Sequence, residues 1–363
     1  MTNQRNRDRT PFIAGVGTAL PGPRHSQEAI QSALEEFWGE IDYDSGWVDH
    51  FFDSVGVDSR HLALPFEAYF SIDGFTDSNR HWIEKATELG AGALVNACEN
   101  GGLAPDRLDA IFFTTVTGVA SPSIDAAIIN EVGLDRGIDR VPMFGLGCVG
   151  GAAGLGRVAD YLRGHPDRTA AIVAVELCSL TVERNDPAIA DMIAAALFGD
   201  GAACAVCAGG GRRELSSPDR PRMTHNGGVF YHDTEWVMGW EVGSQGFELV
   251  LSGDLPKVIE RELGDDLEGF LADSRYELGD VERWICHPGG PKVLEAIGEA
   301  LDLEDDALAS ARESLRSVGN MSSASVLKVL EDEMRNSGRA EWSGPAILMA
   351  MGPGFSAEFV LLE

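Results

Sequence analysis

Short apolar runs alternate with longer amphipathic stretches along almost the whole chain. The strand-like runs are Phe12–Val16, Ala110–Thr115, Ala171–Val175, Ala202–Val206, Trp284–Cys286, Ala346–Met351 and Glu358–Leu362. Between them lie the helical patterns Glu28–Trp38, Trp82–Cys98, Ile124–Val132, Val149–Leu162, Pro187–Leu197, Pro291–Leu301 and Ser322–Met334. Such alternation predicts an α/β architecture, its sheets covered by helices. Two helical stretches stand apart: VGGAAGLGRVADYL, after Gly147-Cys148, and MSSASVLKVL, after Gly319-Asn320. A surface helix needs a charged face, and these carry almost no charge before their last turns, so both are predicted to be buried. One lies in each half of the chain, which hints at a duplication. The break between halves falls at Ala208–Pro221, AGGGRRELSSPDRP, which lacks periodicity and is rich in Gly, Arg, Ser and Pro. The predicted organisation is a solvated tail over 1–10, a first half over 11–210 and a second over 222–363.

Composition narrows the function classes. The 363 residues are 44% apolar and 24% charged, ample material for a core. No apolar stretch approaches the ~20 residues that span a bilayer. The opening MTNQRNRDRT has no apolar segment of the kind a signal peptide requires, so a soluble cytoplasmic protein is expected. The net charge is −30, and Lys85, Lys257, Lys292 and Lys328 are the only lysines. So negative a chain repels nucleic acid. Acidic excess with scarce lysine suits a halophile, where salt screens the repulsion; an acidic, arginine-preferring proteome would produce the same count. Cys204 and Cys207 form a CxxC inside the strand-like GAACAVCAG, with no second pair to complete a zinc site, and read as core thiols.

Three segments carry candidate chemistry. In VPMFGLGCVGGAAGLG a strand-like run passes through glycines to Cys148, where a buried helix begins. Unpaired N–H groups and the positive end of the helix dipole there favour a thiolate. Glycines on both sides let a carbonyl approach and leave N–H groups free for an oxyanion. A buried cysteine in a tight turn is the bland alternative. The same stretch, Gly145 to Gly150, also fits GxGxxG, with Glu176 at the end of the next strand as the ribose-binding acid of a dinucleotide site. In WICHPGGP, His287 ends a short apolar strand before a Pro-Gly turn; alone it could be a satisfied core histidine. In SVGNMSS, Asn320 precedes the second buried helix and alone reads as an N-cap. Only the set of Cys, His and Asn together points to thioester chemistry, with a nucleophile, a base and an uncharged donor.

The stretches FGLGCVGGAAGL, ALFGDGAA, ICHPGGPKVLEAI, GNMSSASVL and AMGPGFSAE, in this order and spacing, resemble the type III polyketide synthases, the chalcone synthase-like family on the thiolase fold. The resemblance runs from about Phe12 to the C-terminus and displaces the dinucleotide reading. It implies a homodimer of layered αβαβα subunits, each built from two duplicated halves. By that resemblance Cys148 accepts the starter acyl group from a CoA thioester. His287 and Asn320 donate hydrogen bonds to the thioester oxygen and to the enolate left when malonyl-CoA decarboxylates. Acyl-CoA and malonyl-CoA are the implied substrates, and neither a metal nor another cofactor is called for.

By the same resemblance Phe198 is a gatekeeper between CoA tunnel and cavity, with Phe247 as the candidate second gatekeeper. Thr117, Ser121, Cys178, Thr181 and Ala194 fall where the family lines its pocket. The loop of Met351, Gly352, Pro353 and Gly354 is expected to shape the cavity wall. Where plant members grip CoA with several cations, Trp47–Ser59 offers only His50 among acids, which leaves Arg60, His61 and Lys292 as the candidates for CoA. TVTGVASPSIDAAIINEVG and VAVELCSLT look like bacterial alkylpyrone and alkylresorcinol synthases. The expected reaction therefore extends a medium-to-long fatty acyl-CoA with malonyl-CoA and cyclises the product to an alkylpyrone or alkylresorcinol. A ketoacyl synthase III-like enzyme, making one condensation, and a non-catalytic partner subunit of a condensing complex are the alternatives.

Overall fold

The computed structural model describes residues 9–39, 45–182, 188–243, 246–336 and 342–363; the tail over 1–8 and the expected helix start at Pro187 lie outside them. Each predicted strand is present, as β1 (Phe12–Ala19), β4 (Ala110–Thr115), β6 (Thr169–Leu177), β7 (Asp200–Ala208), β11 (Arg283–Cys286), β12 (Ala346–Gly352) and β13 (Ser356–Leu362). The additional strands are β2 (Arg24–Ser26), β3 (Ser59–His61), β5 (Asp139–Phe144), β8 (Met223–Phe230), β9 (Met238–Val242) and β10 (Phe247–Leu251). Two sheets organise the chain, one ordered β1-β7-β6-β4-β5 and the other β11-β12-β13-β8. Every residue of β4, β6 and β7 is buried, as expected of strands covered on both faces. The chain passes from one sheet to the other between β7 and β8.

The two charge-poor helices, Gly150–Gly164 and Ser325–Asn336, lie side by side between the sheets. Leu155 and Val158 of the first and Val326, Leu327 and Leu330 of the second share one core with Ile172, Ile285 and Leu348 from the strands. Small residues make this middle layer possible. A Cβ on Gly154 would fall 2.5 Å from Ile172, and one on Gly151 would fall 2.3 Å from the Ser323 carbonyl. The long helix Gly74–Gly101 covers the outer face of the first sheet. Leu255–Leu271 and Pro291–Ala300 pack on each other and cover the outer face of the second, through a core that includes Ile259, Leu263 and Ile297. The result is the αβαβα order of the thiolase fold. Among the described residues no helix is long and apolar enough to cross a membrane. All six cysteines are free and buried, including Cys204 and Cys207 on β7.

Candidate active site

Three turns converge where the two middle helices begin. The first leaves β5 through Gly145 and Gly147, with φ of +86° and +54°, a region glycine enters without steric cost. One 3-10 turn, Gly147–Val149, then carries the buried Cys148 into the helix. The second turn holds His287 just past β11, its N–H bonded to the Met349 carbonyl at 2.9 Å. The imidazole is buried, and neither ring nitrogen has a hydrogen-bond partner within the protein. The third follows Gly319 and presents Asn320, whose N–H donates to the Leu197 carbonyl and whose carbonyl accepts from Gly199. Asn320 Nδ2 donates to the Gly289 carbonyl at 3.2 Å, and Oδ1 accepts from the Ser322 N–H at 2.8 Å. Ser322 Oγ in turn lies 3.7 Å from Cys148 Sγ. One chain of contacts therefore links the sulfur, the carboxamide and the turn that carries His287.

Burial sets the charge states here. It pushes the Cys148 thiol up to about 12; the Ser322 hydrogen bond opposes this, and the charge of buried Glu176 adds to it. The helix start, expected to favour the thiolate, thus acts against a loss of hydration that favours the thiol. Burial also drives His287 down to about 3. Both shifts run toward the uncharged forms, and a neutral imidazole is the form that can accept a proton.

Beyond Phe198 lies a cavity of about 670 Å³, and Thr117, Cys178, Thr181, Ala194 and Phe247 line it with Phe198. Trp240, which the sequence did not single out, also lines it and joins the two expected gatekeepers, its ring 6.3 Å from Phe198 and 6.4 Å from Phe247. Phe247 also meets Phe75 edge-on at 5.6 Å. Ser179 and Tyr69 add hydroxyls to the lining and are 2.6 Å apart. Ser121 is not among the lining residues: it is exposed, ahead of a cis peptide bond to Pro122. The 351–354 loop also departs from its expected place. Met351 borders a separate space of about 20 Å³ with His287 and Phe355. Gly352 lies against the Val149 N–H, where a Cβ would come within 2.6 Å, and Pro353 rests on Gly147. Gly354 follows with φ of +138° and lies against Phe230.

The CoA candidates separate as well. Arg60 is 1% exposed and donates to the Phe198 carbonyl, so it braces the gatekeeper from inside and cannot meet a phosphate at the surface. His61 is partly buried, with Nδ1 2.9 Å from the Pro21 carbonyl oxygen. Lys292 is exposed at the start of the helix that follows the His287 turn. Glu176, the acid of the dinucleotide reading, is fully buried. It accepts from the Val116 N–H at 3.1 Å, from Thr117 Oγ1 at 2.9 Å and from Ser323 Oγ, so no ribose can reach it. Burial raises it to about 7 against those bonds. Among the described residues no group of three His, Cys, Asp or Glu could hold a metal ion.

Comparison with known proteins gives the arrangement its context. Residues 75–211 match the N-terminal domain of chalcone and stilbene synthases, and residues 224–363 match the C-terminal domain. A 1,3,6,8-tetrahydroxynaphthalene synthase of Streptomyces peucetius is 46% identical over 98% of this chain and 94% of its own length. An alpha-pyrone synthesis polyketide synthase-like protein of Mycobacterium tuberculosis is 30% identical over 97% of this chain and 90% of its own. Among solved structures, the 1,3,6,8-tetrahydroxynaphthalene synthase of Streptomyces coelicolor superposes with a TM-score of 0.89 at 26% identity, over 97% of this chain and 98% of that one.

Proposed function

The chain belongs to the chalcone and stilbene synthase family as a type III polyketide synthase, an acyltransferase by Claisen condensation, and from that premise we propose that malonyl-CoA both primes and extends a chain that closes to 1,3,6,8-tetrahydroxynaphthalene. The observation that carries this reading is the 46% identity, over nearly the whole of both chains, to the Streptomyces peucetius enzyme of that name. It replaces the fatty acyl-CoA starter as the preferred reading. The cavity supports it: Trp240, Phe198 and Phe247 supply flat walls suited to an aromatic product.

In this proposal the neutral His287 takes the Cys148 proton as the thiol attacks the starter thioester, and CoA leaves as its thiol. His287 and Asn320 then stabilise the enolate formed when malonyl-CoA releases carbon dioxide, their donors fixed in advance where charge develops. The enolate carbon attacks the acyl-Cys148 thioester, and the lengthened chain returns to Cys148 for the next round. CoA phosphates come nearest to Lys292. The working unit is a homodimer, for which half-exposed Phe144 on the edge strand β5 and Val119 provide apolar surface.

A second reading, an acyl-primed pyrone or resorcinol synthase, draws on the 30% identical alpha-pyrone protein and on the small side chains of Cys178 and Ala194 in the cavity. Mass spectrometry of products separates the two. The tetrol formed from malonyl-CoA alone supports the first reading. Turnover that requires a fatty acyl-CoA and yields alkylated pyrones or resorcinols overturns it.

A further inference from the structure

We propose that Ser322 is a positioning residue for the nucleophile, an inference that rests on Cys148 being the acyl carrier. Three observations converge on it. Its Oγ lies 3.7 Å from Cys148 Sγ, in a site where Ser322 is 2% exposed. Its φ is +46°, a left-handed conformation that costs a residue with a Cβ and persists only where the surroundings impose it. From that same conformation its N–H reaches Asn320 Oδ1 at 2.8 Å, which orients the carboxamide with Nδ2 toward Gly289. One strained residue thus serves both the sulfur and the neutral donor.

The packing beside Ser322 is built from glycine. Gly150 and Gly151, immediately after the Cys148 turn, rest against Ser323; a Cβ on either would fall 3.2 Å from its Cβ or 2.3 Å from its carbonyl oxygen. The two helix starts therefore meet close enough for the sulfur and the hydroxyl to touch. While the sulfur carries its proton, the thiol donates to Ser322 Oγ. When the sulfur loses its proton, the hydroxyl rotates and donates to the thiolate, a charge-assisted hydrogen bond made in a site that burial otherwise makes hostile to charge. Nothing in the sequence marks this role, because a serine after Asn-Met has no local signature of a positive φ.

The test is the pH profile of Cys148 alkylation by iodoacetamide, read by mass spectrometry on the peptide that contains it, in the full-length protein without any CoA ester. Ser322→Gly keeps the backbone conformation and the N–H to Asn320 while removing the hydroxyl. Its profile should move about one unit alkaline, with alkylation on the acid side of the midpoint slowed about tenfold. Ser322→Ala should shift equally. A Ser322→Gly profile that superposes on wild type overturns the proposal. A shift confined to Ser322→Ala overturns it too, since that would report backbone strain. The readout contains no substrate, so its failure is distinct from a failure of the starter assignment, which the product assay decides.

Discussion

Replacing His287 by Gln should remove a large acid-side penalty from the stability of this protein. Burial holds the folded imidazole near 3, against an ordinary value of 6.5. Below 6.5 the unfolded chain binds a proton that the folded chain refuses, so stability is undiminished above that pH and declines as pH falls toward 3. Each unit of that interval costs about 1.4 kcal/mol, so a fall from pH 7.5 to 5.0 costs roughly 2 kcal/mol through this residue alone. Two buried carboxyl groups act in the opposite sense. Glu176, raised to about 7, and Asp200, raised to about 6, take up protons in the folded state first and so favour it as pH falls. Wild-type stability alone therefore cannot isolate the histidine, but the difference between wild type and His287→Gln can. Urea unfolding at fixed salt, at pH 7.5 and 5.0 (both above the isoelectric point of about 4.5), supplies that difference. The variant should gain about 2 kcal/mol relative to wild type on going to the lower pH. A difference that does not change with pH would refute the neutral imidazole and the proton-accepting role built on it.

Cys148→Ala should abolish condensation and all labelling by radioactive acyl-CoA; label found on Cys178 in the variant would move the acyl carrier to the other cavity thiol. Trp240→Ala removes the ring between Phe198 and Phe247, so products should lengthen and fatty acyl-CoA starters should gain in kcat/KM; an unchanged product profile would show that Trp240 does not limit the cavity. The charge of −30 should make the melting temperature climb with potassium chloride up to molar levels, as the screening length falls from ~10 Å at 0.1 M to ~3 Å at 1 M. A flat response would leave the acidity without a role in salt adaptation.

Where the sequence was legible, local chemistry and final environment coincide. The runs that became β4, β6 and β7 are apolar throughout because both faces of each are covered, and the two charge-poor helices announced a middle layer for the same reason. The strands that escaped notice have mixed surroundings. β5 carries Pro142 and exposed Arg140 at a sheet edge, while β8 runs through Gly227-Gly228 with seven of its eight residues partly or fully open. In the site, Cys148 and Asn320 stood out because glycines precede them and small-residue helices follow.

Arg60 stood among the CoA candidates because a sequence shows charge and not depth. Its aliphatic stem passes Gly319, where a Cβ would lie 2.9 Å from Arg60 Cδ, and only the folded chain reveals that this space exists. The opposing pull on the Cys148 thiol was hidden on the same ground. A helix dipole is written in the residues next to Cys148, but desolvation comes from the loop over 351–354 and the turn at Ser322, some two hundred and one hundred and seventy positions away in the chain. Local sequence therefore locates the reactive atoms, and the distant segments that close over them set their protonation. Ser322 belongs to those distant segments, and in the role proposed for it the hydroxyl answers the same charge that their closure disfavours.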